Sequence, residues 1–423
     1  MPKRKSARIV AASETKKKKE MSSLNFDATW SWYAPGSKQN SPVFGDESKA
    51  DFAPVIQLDG PGISGSEKIA GFDIDSTLIT TRSGRKFATG VKDWQWWSDE
   101  VPAKLKEAYN DGFKIVFVTN QAGIEKNHVT PKEICTKCED IINELGFPVQ
   151  VFMSTGQNQF RKPSAAVFDH MEKDCNHGMT VNRKHSYYVG DAAGRAKEWA
   201  PGKKRDFSCG DRMFAANCQL QFYTPEEYFL NEAAAPFEWQ SINPRNVLKT
   251  ANDKCINVTS YHSDKQEMVI MVGSPAAGKS SFCKNFLQPK GYTVINRDTL
   301  GTQSKCKHGT IEALKAGQSV VIDNTNPAKY TRYEYIRIAE KYGVPIRCFW
   351  LVTSLDLAHH MNLFRQNQTK GKMRRVPDVA FHVFKKNFEE PDLSEGFSDI
   401  KKIDFVPYFA EKRDEDLFKQ WTC

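Results

Sequence analysis

The chain has 423 residues, 39% of them hydrophobic and 26% charged, with a net charge of +9. That length exceeds what one core ordinarily organises, so two domains of ordinary soluble composition are expected. No apolar run approaches the roughly 20 residues of a membrane span, no signal-peptide core follows the basic start, and ten scattered cysteines fit reduced thiols in an intracellular protein.

Residues 1–24 read as a disordered basic tail. Its first 20 positions hold eight Lys or Arg against Glu14 and Glu20, so most of the net charge sits there. The clusters "KRK" and "KKKK", separated by small and polar residues, suit a two-part nuclear-import signal, which places the protein in the nucleus. The first domain is expected over 25–245, with irregular structure or short strands as far as residue 60. Beyond that the chain alternates. "KIAGFDI", "FKIVFVTN", "VQVFMST" and "HSYYVGD" read as buried strands, and "VPAKLKEAYNDG" and "TPKEICTKCEDIINELG" as helices, the second opened by Thr130 and Pro131. Uniformly apolar strands between amphipathic helices predict a doubly wound α/β domain with a parallel sheet. Cys135 and Cys138 form a lone CxxC inside that second helix and read as plain helix residues.

Chemistry is expected at the carboxyl ends of such strands. Asp73 and Asp75, two apart, end "GFDID" on one side of an extended chain. One carboxylate of such a pair can attack phosphorus, and the other can protonate the leaving alcohol and then activate water. An anionic nucleophile facing an anionic substrate calls for Mg²⁺. Thr119 and Asn120 offer donors to phosphate oxygens, and Lys162 a positive charge. Asp191 joins Asp73 and Asp75 as a metal ligand. This order of motifs resembles the haloacid-dehalogenase phosphohydrolases. Many members carry glycine where Ser76 stands and a second acid in the fourth motif. "GDAAGR" has only Asp191, which leaves water to complete the metal shell.

The Pro- and Asn-containing stretch near 238–255 breaks the alternation, and a linker is expected over 246–260. A second doubly wound α/β domain is expected over 261–423. "EMVIMVGS" runs as a strand into Gly273, Ser274, Pro275, Ala276, Ala277, Gly278, Lys279 and Ser280, a G-x-x-x-x-G-K-S loop that opens a helix, with Ser281 next. Backbone N–H groups of such a loop cradle the phosphates of ATP, the Lys reaches the β and γ oxygens, and the Ser hydroxyl ligates Mg²⁺. Asp298, after "INR", is placed to accept a proton from an attacking hydroxyl, or else to cap the next helix. Asp323 ends "VVID" as a further Mg²⁺ ligand. Arg365 heads the basic run Lys370, Lys372, Arg374 and Arg375, a lid that would clamp the polyphosphate.

The segments "AGFDIDSTLITTRSG", "TNQAGI", "FRKP", "VGDAAGRAKEWAPGKKRDFSCGDRMFA", "GSPAAGKS", "INRDTLGT" and "VIDNTNP" together resemble the polynucleotide kinase 3′-phosphatase family, from about residue 65 onward. The resemblance implies healing of DNA ends at nicks, gaps and breaks by a monomer with no membrane partner. A 3′-phosphate is removed through an aspartyl-phosphate, and the γ-phosphate of ATP passes to a 5′-hydroxyl. It implies Asp73 as nucleophile, Asp75 as acid/base and Asp298 as base. The 60-odd residues before the phosphatase motifs leave no room for the forkhead-associated domain of vertebrate members, so scaffold or ligase proteins would not be met that way. An RNA-end repair enzyme, or a nucleotide-gated scaffold without turnover, are the alternatives. Trp94, Trp96 and Trp97 in "WQWW" either stack on nucleobases or pack.

Overall fold

A computed structural model describes residues 29–33, 54–254, 261–405 and 407–422. The basic tail, and the import signal expected in it, lie outside the described residues. The chain divides into two compact units, residues 1–240 with 421–423, and residues 241–420.

The first unit is built on a seven-stranded sheet. Its strands are β1 (Thr29–Tyr33), β2 (Val55–Asp59), β3 (Ile69–Phe72), β6 (Lys114–Asn120), β7 (Gln150–Ser154), β8 (Tyr187–Val189) and β9 (Gln221–Tyr223), in the order β1-β2-β7-β6-β3-β8-β9. A separate hairpin pairs β4 (Ile79–Thr80) with β5 (Gln95–Trp96). Strands β3, β6, β7, β8 and β9 run parallel, whereas β2 is antiparallel to both β1 and β7. Alternate residues of one strand enter different cores. Phe117 and Val151 pack with Leu105 and Ile141, while Val116 and Phe152 pack with Phe168 and Phe214. Both faces of the sheet are therefore covered, which is why its strands read as unbroken apolar runs.

Helix Pro131–Leu145 starts as its sequence predicts. The Thr130 side chain accepts from the Glu133 N–H, the Glu133 carboxylate accepts from the Thr130 N–H, and Pro131 takes the first turn. Cys135 and Cys138 are buried inside it, and burial pushes the Cys138 thiol up to about 12. Trp94 is buried, and Trp96 and Trp97 pack against the same core.

The second unit has five parallel strands: β10 (Met268–Val272), β11 (Thr293–Ile295), β12 (Val320–Ile322), β13 (Ile346–Leu351) and β14 (Asp399–Ile403), ordered β11-β12-β10-β13-β14. The central β10 is fully buried, and its neighbours serve two cores, one around Ile270, Ile322 and Tyr335, the other around Met271, Phe282 and Phe349. Where a linker was expected, helix Pro244–Lys254 begins the second unit, and residues 255–260 lie outside the described residues. Asn243 Oδ1 accepts from the Arg245 and Asn246 N–H groups, so the Asn-Pro pair starts a helix rather than breaking one. No described helix is long and apolar enough to cross a membrane.

Candidate active sites

In the first unit, β3 ends at Phe72, and Asp73 and Asp75 fall in the turn directly after it. That turn needs a left-handed residue, and Ser76 takes φ 67°, the conformation that explains a preference for glycine there. Asp73 is buried, and Lys162 Nζ lies 2.6 Å from its carboxylate. The same Nζ lies 2.7 Å from Asp211 and donates to Tyr188 Oη at 2.7 Å. The ligand atoms of Asp73, Asp191 and Asp211 all lie within 4.8 Å of one another, the one such acidic or His/Cys cluster among the described residues.

Asp211 is the acid that sequence reasoning missed. It enters from the first turn of helix Gly210–Cys218, far along the chain from Asp191. Its way in is kept open by Gly190, where a Cβ would stand 2.5 Å from the Asp211 carboxylate. A signal existed in the repeated Gly-Asp pairs of "VGDAAG" and "CGDR". Gln121 and Lys137 were missed as well. Gln121 Nε2 donates to Asp75 at 2.9 Å and to Thr119 Oγ1 at 3.0 Å, and the buried Lys137 ammonium donates to Asp75 at 2.9 Å. Lys137 lies on an interior helix turn that reads as amphipathic, so nothing local marked it.

Thr119 is buried beside the carboxylates. Asn120 is engaged differently from expectation: its Oδ1 accepts from the Lys162 N–H at 3.0 Å and its Nδ2 donates to the Lys162 carbonyl at 3.2 Å. It shapes the Lys162 loop rather than offering a free amide.

Electrostatics separates the two carboxylates of the turn. Burial raises Asp73 to about 7, against the opposing Lys162 ammonium. Burial and then Asp211 and Asp73 push Asp191 well above the usual carboxylate range. At Asp75 burial also disfavours charge, but Lys137 and the hydrogen bonds of Lys137 and Gln121 outweigh it and hold the carboxyl below its ordinary value. Three hard oxygen donors crowded within 4.8 Å, with burial opposing the charge of Asp73 and Asp191, suit Mg²⁺. Asp73, Asp191 and Asp211 fit such an ion.

In the second unit, the loop Gly273–Ser280 joins the fully buried β10 to a helical run from Lys279 through Leu287. Ala276 at φ 57° and Gly278 at φ 93° supply the left-handed turns. Lys279 Nζ donates to the carbonyls of Gly273 at 3.0 Å and Ser274 at 2.7 Å, and burial lowers it to about 8 in spite of Asp323. Ser280 and Ser281 are exposed just inside the helix. Pro275 and Ala277 complete the loop. Asp323 follows β12. Its Oδ2 accepts from Asn296 Nδ2 at 3.0 Å, while its buried Oδ1 has no protein partner. An orphaned buried carboxylate oxygen beside the P-loop fits a cation or its water.

Asp298 is not a helix cap. Asn296 caps the turn Arg297–Leu300 through the N–H groups of Asp298 and Thr299, and Thr302 caps helix Gln303–Lys315. The Asp298 carboxylate is exposed and close enough to act electrostatically on both Lys279 and Arg365. Arg365 lies in helix Leu355–Gln368, apart from the rest of the basic run. Burial lowers its pKa, and its buried Nε has no protein partner. Lys370, Lys372 and Arg374 stand exposed on the following turn, which Asn362 closes by bonding both the N–H and carbonyl of Val376.

Residues 68–229 match the family model described as polynucleotide kinase 3 phosphatase, and residues 268–391 match one described as an AAA domain. The chain is 37% identical over 359 residues to the bifunctional polynucleotide phosphatase/kinase of Schizosaccharomyces pombe, covering 84% of this chain and 83% of that one. It is 30% identical to a putative bifunctional polynucleotide phosphatase/kinase of Acanthamoeba polyphaga mimivirus, over 84% of this chain and 88% of that one. A polynucleotide 3′-phosphatase of Arabidopsis thaliana is 32% identical over 44% of this chain and 27% of its own length.

Proposed function

Because this chain belongs to the family of bifunctional polynucleotide phosphatase/kinases, we propose that it heals DNA strand breaks by removing 3′-phosphates and phosphorylating 5′-hydroxyls with ATP. The observation that carries this reading is the presence of two sets of groups, each gathered near the carboxyl ends of the parallel strands of its own sheet. One gathers Asp73, Asp191, Asp211 and Lys162; the other gathers Lys279, Asp323, Asp298 and Arg365.

At the first site an Asp73 oxygen attacks the phosphorus of a terminal 3′-phosphate. The phosphorus–oxygen bond to the sugar breaks, and Asp75, which takes up a proton when the anionic phosphate arrives beside it and offsets the pull of Lys137, gives that proton to the departing 3′-oxygen. Asp75 then takes a proton from water, which attacks the aspartyl-phosphate and frees Asp73 and inorganic phosphate. Lys162 offsets negative charge on the phosphoryl oxygens, and the Thr119 hydroxyl and nearby backbone N–H groups orient them. Asp73, Asp191 and Asp211 would hold a Mg²⁺ ion, which when bound would supply the charge neutralisation that lets one anion approach another.

At the second site the loop 273–280 holds the ATP phosphates, and Lys279 leaves its two carbonyl partners for the β and γ oxygens. Asp298 accepts the proton of the 5′-hydroxyl as that oxygen attacks the γ-phosphorus, the bond from the γ-phosphorus to the bridging β-phosphate oxygen breaks, and ADP leaves. Arg365 faces the charge that develops on the transferring group, and Asp323 and Ser280 suit the accompanying Mg²⁺. The basic clusters of residues 1–20 support nuclear residence.

The test is a nicked duplex bearing a 3′-phosphate and a 5′-hydroxyl, incubated with the full chain, ATP and Mg²⁺. A 3′-hydroxyl/5′-phosphate nick that a ligase can seal is the expected product. Turnover confined to an RNA strand of the same sequence would overturn the DNA assignment.

A further inference from the structure

Trp421 belongs to the first unit, although residues 241–420 before it make up the second. Its ring is buried and stacks on Trp239, with centroids 4.2 Å apart and planes within 9°, over Cys209 and Met213. Its main chain is paired with one side chain. The Trp421 N–H donates to Asn217 Oδ1 at 2.7 Å, and Asn217 Nδ2 donates to the Trp421 carbonyl at 2.9 Å.

Asn217 has a second task. Its Nδ2 also donates to the carbonyl of Pro163 at 2.8 Å. Pro163 directly follows Lys162, whose ammonium sits between Asp73 and Asp211. Asn120 already holds the Lys162 N–H and carbonyl. Two asparagine side chains thus clamp consecutive residues of this loop. Asn217 stands near the end of the same helix that carries Asp211 at its start. It therefore ties the element that delivers Lys162 to the element that delivers Asp211, and Trp421 supplies two of its three bonds.

We propose that Asn217 and Trp421 are positioning residues of the 3′-phosphatase site, setting where the Lys162 ammonium stands between Asp73 and Asp211. The proposal rests on the phosphatase reading of that site. Both act through the Lys162 loop, with Asn217 bonded to the Pro163 carbonyl and Trp421 bonded to Asn217. Without the Trp421 ring stacked on Trp239, nothing seats residue 421 there, its main chain is free to leave, and Asn217 keeps only the bond to Pro163, its amide free to turn away. The Pro163 carbonyl, in a buried residue, then loses its partner and the loop shifts to recover one. A shift of about 1 Å at a group holding reacting charge is enough to slow the chemical step.

The test uses the full chain carrying W421A, W421F or N217D. The last keeps an acceptor for the Trp421 N–H but removes both donors. Steady-state release of phosphate from a 3′-phosphorylated oligonucleotide is measured beside 5′-kinase turnover and a thermal melt. W421A and N217D are expected to lower phosphatase kcat by about tenfold with KM and kinase turnover unchanged, and W421F to restore most of the loss. Phosphatase kcat within about twofold of the parent in both W421A and N217D overturns the proposal. So does a loss shared equally by the kinase with a lowered melting temperature, which marks a folding role alone. A parent chain with no 3′-phosphatase activity defeats the underlying reading; an active parent with unaltered variants defeats only this one.

Discussion

Asp211 shows how much a catalytic cluster depends on what is missing beside it. Its carboxylate lies against the backbone of Gly190, and no side chain larger than hydrogen fits between them. Replacing Gly190 with alanine puts a methyl group 2.5 Å from that carboxylate, so Asp211 has to leave or the strand end has to move. G190A is therefore expected to lower 3′-phosphate release by about a hundredfold while 5′ phosphorylation stays unchanged. Phosphate release at the parent rate would show that Asp211 contributes nothing there. The cluster was half legible in the sequence. Asp73, Asp75, Thr119 and Asp191 announced themselves at or just beyond the ends of apolar strands, and Lys162 by its place in the order of motifs, in a loop beyond β7. Asp211, Gln121 and Lys137 did not, because each arrives through tertiary packing and lies off a strand end. Asn120 was legible in place but not in role, since only the folded loop shows that its amide serves the Lys162 backbone.

Among elements, helix Pro131–Leu145 and helix Pro244–Lys254 carry the same kind of start, an Asn or Thr followed by Pro. The first was read correctly because an amphipathic run follows it. The second reads as a linker because few of the residues after it are apolar. The short β1 and β2 escaped clear definition for a related reason: they form an antiparallel edge that the β-α alternation does not predict. Capping sets a measurable quantity. Thr130→Ala removes the acceptor for the Glu133 N–H and should cost about 1 kcal/mol, read as a lower midpoint for the first unit's unfolding. An unchanged midpoint would mean that solvent serves that N–H equally well. Helix Leu355–Gln368 sets a second. It buries His360 against Phe418, and burial lowers that imidazole to about 4. The unfolded chain protonates near 6.5, so falling pH favours unfolding first. Stability from this group is complete above about 6.5 and is lost as pH drops toward about 4, amounting to about 2 kcal/mol between pH 7 and 5. Unfolding of H360Q over that interval should show a correspondingly shallower pH dependence. Identical slopes in both proteins would exclude His360 as a source of acid sensitivity.

At the scale of the whole molecule, two sheets with separate cores each present chemistry at their strands' carboxyl ends. The doubly wound pattern made both sheets legible from sequence, whereas the placement of Trp421 with the first unit was not, because no local pattern distinguishes a residue that returns to another fold. Separate cores imply separable reactions. Asp73→Ala removes the proposed nucleophile but leaves every group of the P-loop unit in place, so 3′-phosphate release should fall at least about a thousandfold with 5′ transfer within about twofold of the parent. Lys279→Ala removes the charge that draws the ATP phosphates into the loop, and it frees the carbonyls of Gly273 and Ser274. It should abolish 5′ transfer and spare 3′ hydrolysis, which also needs no ATP. The two variants are compared on one nicked duplex, with each end resolved separately and folding followed by thermal melts. If either substitution silenced both ends in a folded protein, the sites would share a group or a conformational step, and the assignment of one reaction to each sheet would fail.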